Sequence, residues 1–307
     1  MSKSDGVSSF MPSCLLRQKQ LGMRKLKIAI QKSGRLYEDS LDLLRKCGIS
    51  ISNGRDQLKV VAQNFPLEIL FLRNSDIPQY VADGVADIAI VGENLLIEKQ
   101  SEVNIVEKLG FSKCRVSLAV PKEVEDDSLE YFNGKKVASS YPVTLQTFFN
   151  KNKIQAEIHT ISGSVEIAPN IGLADGICDI VSSGSTLFKN GLRETQVILK
   201  SEAVLIKSQT LAPDKKQVLD KLLFRIQSVL RAKNHKYVLL NVPNDKIDAV
   251  SKILPVLKSP TVLPLAKEGW SSLHSVIQES QFWEVIDALK TAGAEDILII
   301  PIDKMVS

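Results

Sequence analysis

The chain has 307 residues, enough for about two domains, and its 44% hydrophobic and 24% charged residues are typical of a globular protein. The net charge of +4 is small and spread along the chain, which suits anionic small molecules, and no basic stripe with interleaved aromatics indicates nucleic-acid binding. No apolar run approaches the roughly 20 residues of a membrane span. The four scattered cysteines and three histidines indicate neither a disulfide framework nor a metal site, so we expect a cytoplasmic protein with reduced thiols.

The folded part of the chain is predicted to begin with a strand, a basic loop and a helix. Residues 1–22 are polar and are predicted to be a disordered extension. A strand at 25–30 leads into a glycine-containing loop with Lys32 and Arg35, and a helix follows at 36–47. Both cations can meet phosphate oxygens, and the guanidinium of Arg35 can do so with two nitrogens. An ordinary solvated loop explains this segment equally well.

Three further predicted strands lie next to polar or glycine residues. The strands and their neighbours are 67–72 with Arg73 and Asp76, 88–91 with Gly92, and 116–120 with Arg115. Ligands of open α/β sheets bind at the carboxyl ends of the strands. These positions are therefore candidates for one side of a binding cleft.

A second α/β unit is predicted from strands at 136–139, 156–160 and 177–181. The last of these strands contains Asp179 and ends in a loop of small residues: Ser182, Ser183, Gly184, Ser185 and Thr186. Such a loop, with the helix start that follows, can turn N–H and hydroxyl groups towards a phosphate. Asp179 and the upstream Asp175 suit the hydroxyls of a sugar, since a carboxylate repels phosphate. A plain strand, turn and helix cap, with Asp175 as a solvated charge, is the alternative.

Two α/β lobes joined by two crossings enclose a cleft, as in a two-lobed binding protein with a hinge. A return strand at 197–206 is expected to rejoin the first sheet, and a long helix at 213–233 ends the body. The order βαββαβ that follows predicts a ferredoxin-like domain, interpreted as a regulatory or assembly module. The predicted division is 23–120 and 196–232 for the first lobe, 121–195 for the second, and 233–307 for the last domain.

Several short stretches, taken in order, resemble one family. They are Gln31 to Leu36, Asp83-Gly84, Asp87-Ile88, Gly92-Glu93-Asn94, Ser140-Tyr141-Pro142, Gly163 to Glu166, Gly172 to Asp175, Asp179 to Thr186, and Asn190-Gly191-Leu192. Single stretches are weak signals, but the ordered set, over about 25–306, resembles ATP phosphoribosyltransferase, the first enzyme of histidine biosynthesis. The C-terminal module resembles the long form of that family, which carries its own feedback domain. The fold expected is a body like the type II periplasmic binding proteins plus a ferredoxin-like domain.

The resemblance implies transfer of the 5-phosphoribosyl group of phosphoribosyl pyrophosphate (PRPP) to N1 of ATP, with release of pyrophosphate and with Mg²⁺. The catalytic residues that it implies are Lys32, Arg35, Asp175 and Asp179. For PRPP it implies Asp179, Ser182, Ser183, Gly184, Ser185 and Thr186, and for ATP it implies Arg35, Arg73, Asp76, Gly92 and Arg115. For L-histidine as inhibitor it implies Leu257, Ser259, Thr261 and Val276. It also implies a homo-oligomer of dimers that assemble into hexamers.

This reaction requires no protein nucleophile, because pyrophosphate leaves an anomeric carbon on which positive charge develops. It requires the substrates to be held in line and the leaving charge to be stabilised. Mg²⁺ usually binds through substrate phosphates, so no protein metal ligands are assigned. Two alternatives are a non-catalytic two-lobed anion- or nucleotide-binding protein, which predicts a secretion signal or membrane partner, and a silent regulatory paralogue. The sequence offers neither signal nor partner for the first, and the intact basic and Asp179 loops speak against the second.

Overall fold

The computed structural model describes residues 24–52, 57–255 and 259–306. Within these ranges, no helix combines the length and the apolar character needed to cross a membrane. The chain divides into two compact units, residues 1–45 with 49–219 and residues 46–48 with 220–307. The extension predicted for 1–22 lies outside the described residues, and so does Leu257.

The first unit contains a six-stranded sheet in the order β2-β3-β1-β4-β11-β5. The strands are β1 (Leu26–Gln31), β2 (Lys59–Val61), β3 (Leu67–Leu72), β4 (Ile88–Gly92), β5 (Asn104–Lys108) and β11 (Ala203–Lys207). Its helices are α1 (Arg35–Lys46), α2 (Ile77–Ala82) and α3 (Glu93–Lys99). The central strands β3, β1 and β4 are parallel and almost wholly buried, so their carboxyl ends meet at one edge of the sheet.

A second, five-stranded sheet of the same unit has the order β10-β6-β9-β7-β8. The strands are β6 (Cys114–Pro121), β7 (Lys136–Ser139), β8 (Glu157–Thr160), β9 (Gly176–Val181) and β10 (Leu192–Ser201), and the helices are α4 (Pro142–Asn152) and α5 (Ser185–Lys189). Strands β7, β8 and β9 are parallel to one another. A core that includes Phe132 and Phe149, both buried, packs on this sheet. Two α/β sheets in one body confirm the predicted fold class.

The boundaries predicted between the lobes were wrong in two places. The strand expected at 116–120 in the first lobe is β6, which pairs with β9 and β10 in the second sheet. The single return strand expected at 197–206 is two strands, β10 and β11, and only β11 belongs to the first sheet. An apolar run identifies a buried strand but does not identify its partner, because pairing is set by residues far away in the chain.

Two chain segments cross between the sheets and are bonded to each other. The Leu109 N–H donates to the Ala203 carbonyl at 2.9 Å, and the Ala203 N–H donates to the Phe111 carbonyl at 3.0 Å. The Gly110 N–H donates to the Glu202 carboxylate at 3.0 Å. The crossings therefore form one short double-stranded connection between the two lobes.

Helix α6 (Pro213–Lys233) begins in the first unit, where Lys215 reaches the first sheet. Its ammonium lies 2.8 Å from both carboxylate oxygens of the buried Asp87. Asp87 also accepts the backbone N–H of Lys27 at 2.8 Å. This buried ion pair holds the start of α6 against β1 and β4, and the carboxylate is compensated by three donated bonds.

The second unit contains a four-stranded antiparallel sheet in the order β13-β14-β12-β15. Its elements after α6 are β12 (His235–Pro243), α7 (Ile247–Ile253), β13 (Thr261–Pro264), β14 (Trp270–Gln278), α8 (Glu279–Thr291) and β15 (Glu295–Pro301). Residues of both helices pack with alternate residues of β12 and β14, such as Val238, Leu240 and Leu273, in one core. The βαββαβ order and this sheet order confirm the ferredoxin-like prediction.

Candidate active site

The carboxyl ends of β3, β1 and β4 carry the first group of predicted site residues. Lys32 follows β1 directly, and its backbone N–H donates to the Leu72 carbonyl at 2.9 Å, which holds the ends of β1 and β3 side by side. Arg73 follows β3, and Gly92 ends β4. The side chains of Lys32, Arg35 and Arg73 are exposed, so this edge of the first sheet is cationic.

Asp76 and Gly92 have local roles at the same edge. The Asp76 carboxylate accepts the Ser75 hydroxyl at 2.7 Å, within the turn that precedes α2. A Cβ at Gly92 would overlap the side-chain oxygen of Asn94. Asn94 is buried and bonded to Ser201, whose hydroxyl receives the Asn94 N–H at 3.0 Å and donates to the side-chain oxygen at 2.9 Å. Glycine is therefore required at position 92 by a fixed neighbour rather than by its own backbone angles.

The loop after β9 forms the second part of the site. Gly184 has φ +80° and turns the chain into α5, while the Ser183 and Ser185 hydroxyls lie 3.0 Å apart. A pocket of about 160 Å³ opens beside this loop and is lined by Asp179, Glu166 and the loop residues Ser182, Ser183, Gly184 and Thr186. Ser185 instead lines a neighbouring pocket, which also includes Arg115 and Arg193. The structure thus brings most of the predicted PRPP residues to one pocket.

The pKa of Asp179 is raised within this pocket. Its pKa is raised from the ordinary value of 3.8 to about 6, and burial is the largest cause. The backbone N–H of Ile180 lowers the pKa, and the negative charge of Glu166 raises it. The Asp179 carboxyl therefore ionises close to neutral pH, and the ionised group can accept more hydrogen bonds than the one from the backbone N–H. The hydroxyls of a sugar can donate such bonds.

Two arginines from different parts of the body converge on Ser182. Nη1 of Arg35 donates to the Ser182 hydroxyl at 3.4 Å, and Nη1 of Arg115 donates to the Ser182 carbonyl at 3.1 Å. The rest of the Arg115 guanidinium makes a two-pronged ion pair with Glu194, which raises the pKa of Arg115 and lowers that of Glu194. Arg35 lies on the first sheet's side, so its contact joins the two edges across the cleft.

A larger pocket of about 490 Å³ lies in the cleft next to Arg115 and Ser182. It is lined by the cations Lys108, Lys113, Arg115 and Lys200, and by the acids Glu93 and Glu202. Among the ATP residues that the resemblance implied, Arg115 lines this pocket. The three lysines were missed by sequence reasoning, because single lysines near strand ends match no motif.

Asp175 does not join this site. It precedes β9, whereas Ser182 follows it, and the six residues of the strand separate the two by about 20 Å. The Asp175 carboxylate accepts the Lys136 N–H at 2.8 Å and lies 3.8 Å from the Lys135 ammonium. The structure therefore does not bring Asp175 to the loop pocket, because groups four residues apart lie at different positions along a strand, and its catalytic role stays a prediction.

The described residues predicted to bind histidine lie in the second unit. Ser259 and Thr261 are exposed and Val276 is half-buried. Thr261 pairs with His274 across β13 and β14, and His274 and Val276 alternate on the sheet face that does not carry the Leu273 core. Tyr237, opposite Val276 on β12, has its hydroxyl 2.8 Å from Nδ1 of His274. This open face therefore carries polar groups beside the predicted residues.

Fold and site together define a class: a two-lobed α/β protein whose cleft has a cationic edge on one side and a phosphate-type loop with carboxylates on the other. The family model described as ATP phosphoribosyltransferase matches residues 73–228, and the model described as HisG, C-terminal domain, matches residues 232–304. ATP phosphoribosyltransferase from Cytophaga hutchinsonii is 58% identical over 281 residues, which cover 92% of this chain and 98% of that protein. The corresponding protein of Bacteroides thetaiotaomicron is 54% identical, with 92% and 99% covered.

Among solved structures, the ATP phosphoribosyl transferase (HisG:HisZ) complex from Thermotoga maritima superposes with a TM-score of 0.58 at 28% identity, covering 67% of this chain and 98% of that chain. The chain belongs to the ATP phosphoribosyltransferase family and carries the family's C-terminal domain. The family's reaction, transfer of a phosphoribosyl group from PRPP to ATP in the first step of histidine biosynthesis, is the activity expected from the sequence. A non-catalytic binding protein is not favoured by these relatives.

Proposed function

We propose that the loop after β9 holds PRPP, and that the cationic edge of the first sheet with the adjoining cleft pocket holds ATP. The observation that carries this proposal is the contact between Arg35 and Ser182, because it joins the cationic edge to the phosphate-type loop. Two anionic substrates that react in line need such facing sites, one on each lobe.

Asp179 accepts the ribose hydroxyls of PRPP, and Glu166 is a second acceptor in the same pocket. The Asp179 carboxyl accepts both hydroxyls only when it is ionised, and its charge then also stabilises the positive charge that develops on the ribose. Hydroxyl and backbone N–H groups of residues 182–186 receive the 5-phosphate. The left-handed backbone of Gly184 supports this role, because a turn of this kind can direct successive N–H groups towards an anion.

Lys32 and Arg35 neutralise the leaving pyrophosphate, and Mg²⁺ would be the cofactor that accompanies it. The two carboxylates in the PRPP pocket, Asp179 and Glu166, suit a hard cation that takes most of its ligands from phosphates. In the described ranges, no cluster of three or more His, Cys, Asp or Glu side chains could hold the ion alone. When bound, Mg²⁺ supplies positive charge to the leaving oxygens.

ATP occupies the cleft pocket that Arg115 lines and extends towards the edge of the first sheet, where Arg73, Asp76 and Gly92 lie outside the pocket lining. A volume of about 490 Å³ suits a nucleotide-sized ligand. Lys113 and Lys200 bring further positive charge to the pocket, which suits a triphosphate. N1 of the adenine then attacks the anomeric carbon of PRPP, and the electron pair of the broken C–O bond leaves with pyrophosphate.

The C-terminal domain binds histidine as a feedback inhibitor and assembles dimers into hexamers in the cytoplasm. The open sheet face with Thr261, Val276 and the Tyr237–His274 pair supports a small polar ligand there. The edge strand β15 exposes Leu298 and Ile300, which supports pairing with another copy. Sedimentation analysis with and without histidine tests the assembly. Inhibition by histidine, compared between wild type and Thr261→Ala, tests the binding site. A monomer insensitive to histidine contradicts both.

The site is tested by turnover of ATP and PRPP with Mg²⁺, followed by the change in adenine absorbance. Arg35→Ala and Asp179→Asn are each expected to lower kcat/KM by about 10²-fold or more, because each removes charge stabilisation that is strongest in the transition state. Arg45→Ala, which removes an exposed arginine from the same helix, is the control and stays within about twofold of wild type. Normal turnover of both site variants refutes the assignment.

A further inference from the structure

Helix α4 of the second sheet is capped by a side chain from the first sheet's side. The Glu98 carboxylate, on α3, accepts the backbone N–H of Val143 at 3.0 Å and that of Thr144 at 2.9 Å. It also accepts the Thr144 hydroxyl at 2.8 Å. One carboxylate therefore makes three bonds to a helix that it does not adjoin in sequence.

These bonds satisfy the donors that α4 leaves free at its start. The first helical residue, Pro142, has no N–H, and Tyr141 at the capping position makes no side-chain cap. The Leu145 N–H is already bonded to the Tyr141 carbonyl at 3.0 Å. Only the N–H groups of Val143 and Thr144 remain, and an ionised carboxylate at a helix N-terminus is favoured by charge as well as by hydrogen bonding.

A second bond runs beside the first between the same two elements. The side-chain amide of Asn94, at the start of α3, donates to the Tyr141 hydroxyl at 3.2 Å. Two residues before Tyr141, the Ser139 hydroxyl donates to the Cys178 carbonyl at 2.7 Å, and Cys178 adjoins Asp179 in β9. The start of α4 is thus connected through neighbouring residues to the strand that carries the ribose carboxylate.

We propose that Glu98 is a positioning residue for the transfer reaction: by capping α4 from α3, it fixes the lobe that carries Asp179 against the lobe that carries Arg35. This inference rests on the function proposed above for those two residues. Alignment of two substrates bound on different lobes depends on the geometry between the lobes, and a misplacement of about 1 Å can cost about 10²-fold in rate. Glu98 acts through this geometry and touches no substrate.

The test separates the bond between lobes from the cap itself. Glu98→Ala removes both, whereas the double variant Glu98→Ala/Val143→Asp returns a carboxylate to the first turn of α4 from within its own lobe. We expect Glu98→Ala to lower Tm by about 4 °C and kcat/KM by about 10- to 100-fold, with kcat and KM for PRPP both altered. The double variant should recover Tm and the slow amide exchange of Thr144 while kcat/KM stays low.

Two outcomes overturn the inference: unchanged kcat/KM in Glu98→Ala, or recovery of kcat/KM together with Tm in the double variant. If Glu98→Ala does not fold, Glu98→Gln, which keeps one acceptor oxygen, replaces it in the test. A fall in kcat/KM of about 3- to 10-fold supports the inference, and an unchanged kcat/KM overturns it. Lys99→Ala, on the exposed side of the same helix, is the control. Failure of the proposed site appears separately, as normal turnover of Arg35→Ala and Asp179→Asn.

Discussion

Replacing Asp179 by asparagine should make the protein more stable and much less active, and the stability gain should depend on pH. Because the pKa of Asp179 is raised in the folded state to about 6, the contribution of this group to stability is fully present below about pH 4 and is lost as pH rises through about 6. The difference between 3.8 and about 6 corresponds to about 3 kcal/mol. The amide introduced by Asp179→Asn would carry no such cost, since it does not ionise.

Urea unfolding of wild type and Asp179→Asn at pH 4, 5, 6 and 7.5 measures the effect. The variant should match wild type near pH 4 and exceed it by about 3 kcal/mol in free energy of unfolding at pH 7.5. Glu166→Gln is the control for the cause, because it lowers the pKa of Asp179 and so reduces the difference. A difference between wild type and Asp179→Asn that is constant from pH 4 to 7.5 would refute the reasoning.

The same ionisation should appear in catalysis. In wild type, kcat/KM for PRPP should fall about tenfold per pH unit below pH 6, because a protonated carboxyl cannot accept both ribose hydroxyls. Asp179→Asn should be about 10²-fold slower at neutral pH and should lack this acidic limb. An unchanged acidic limb in the variant would assign it to another group.

Two further predictions concern packing and charge in the scaffold. Gly92→Ala should lower the free energy of unfolding by about 1–3 kcal/mol, because the new Cβ displaces the buried Asn94 side chain. Adding Asn94→Ala to this variant should cost little more, because the displaced side chain is then already gone. Urea unfolding measures both costs, and additive losses would contradict the prediction. Lys215→Met should lower the free energy of unfolding by about 3 kcal/mol, because it leaves the buried Asp87 carboxylate without its ammonium partner. The double variant Lys215→Met/Asp87→Asn should lose less than the sum of the two single variants. A larger loss in the double variant would contradict the prediction.

Elements with strong local signals were predictable from sequence. The strand at Leu67–Leu72 and the helix at Pro213–Lys233 fall at their predicted bounds, because each has a clear apolar pattern and a distinct boundary. The edge strands Lys59–Val61 and Asn104–Lys108 were not predicted, since one is three residues long and the other is mostly polar and exposed. Partners across a sheet also could not be predicted, as β6 shows.

The candidate site was predictable where function sits in a contiguous loop, and not where it is assembled from distant side chains. The run from Asp179 to Thr186, apart from Ser185, lines one pocket together with Glu166. Glu98 lies inside an ordinary helix, and its meaning appears only when α4 is found beside it. Asp175 lies away from this pocket for a related reason: an extended strand holds residues apart even when they are close in sequence.

The placement of charge on two lobes has a physical consequence for the reaction. Were Arg35 on the same strand end as Asp179, the two would form an ion pair, as Arg115 and Glu194 do, and neither would be available to substrate. Instead Arg35 meets only the Ser182 hydroxyl in the loop, at 3.4 Å, and its side chain remains 68% exposed beside a long, 3.9 Å ion pair with Asp39 of its own helix. Pyrophosphate gains negative charge as the ribose gains positive charge, so the enzyme needs a cation and a carboxylate that face each other without pairing. In the proposed site, separate lobes keep the charges of Arg35 and Asp179 from pairing with each other, so that each stays available to a substrate, and Glu98 would fix the spacing between them.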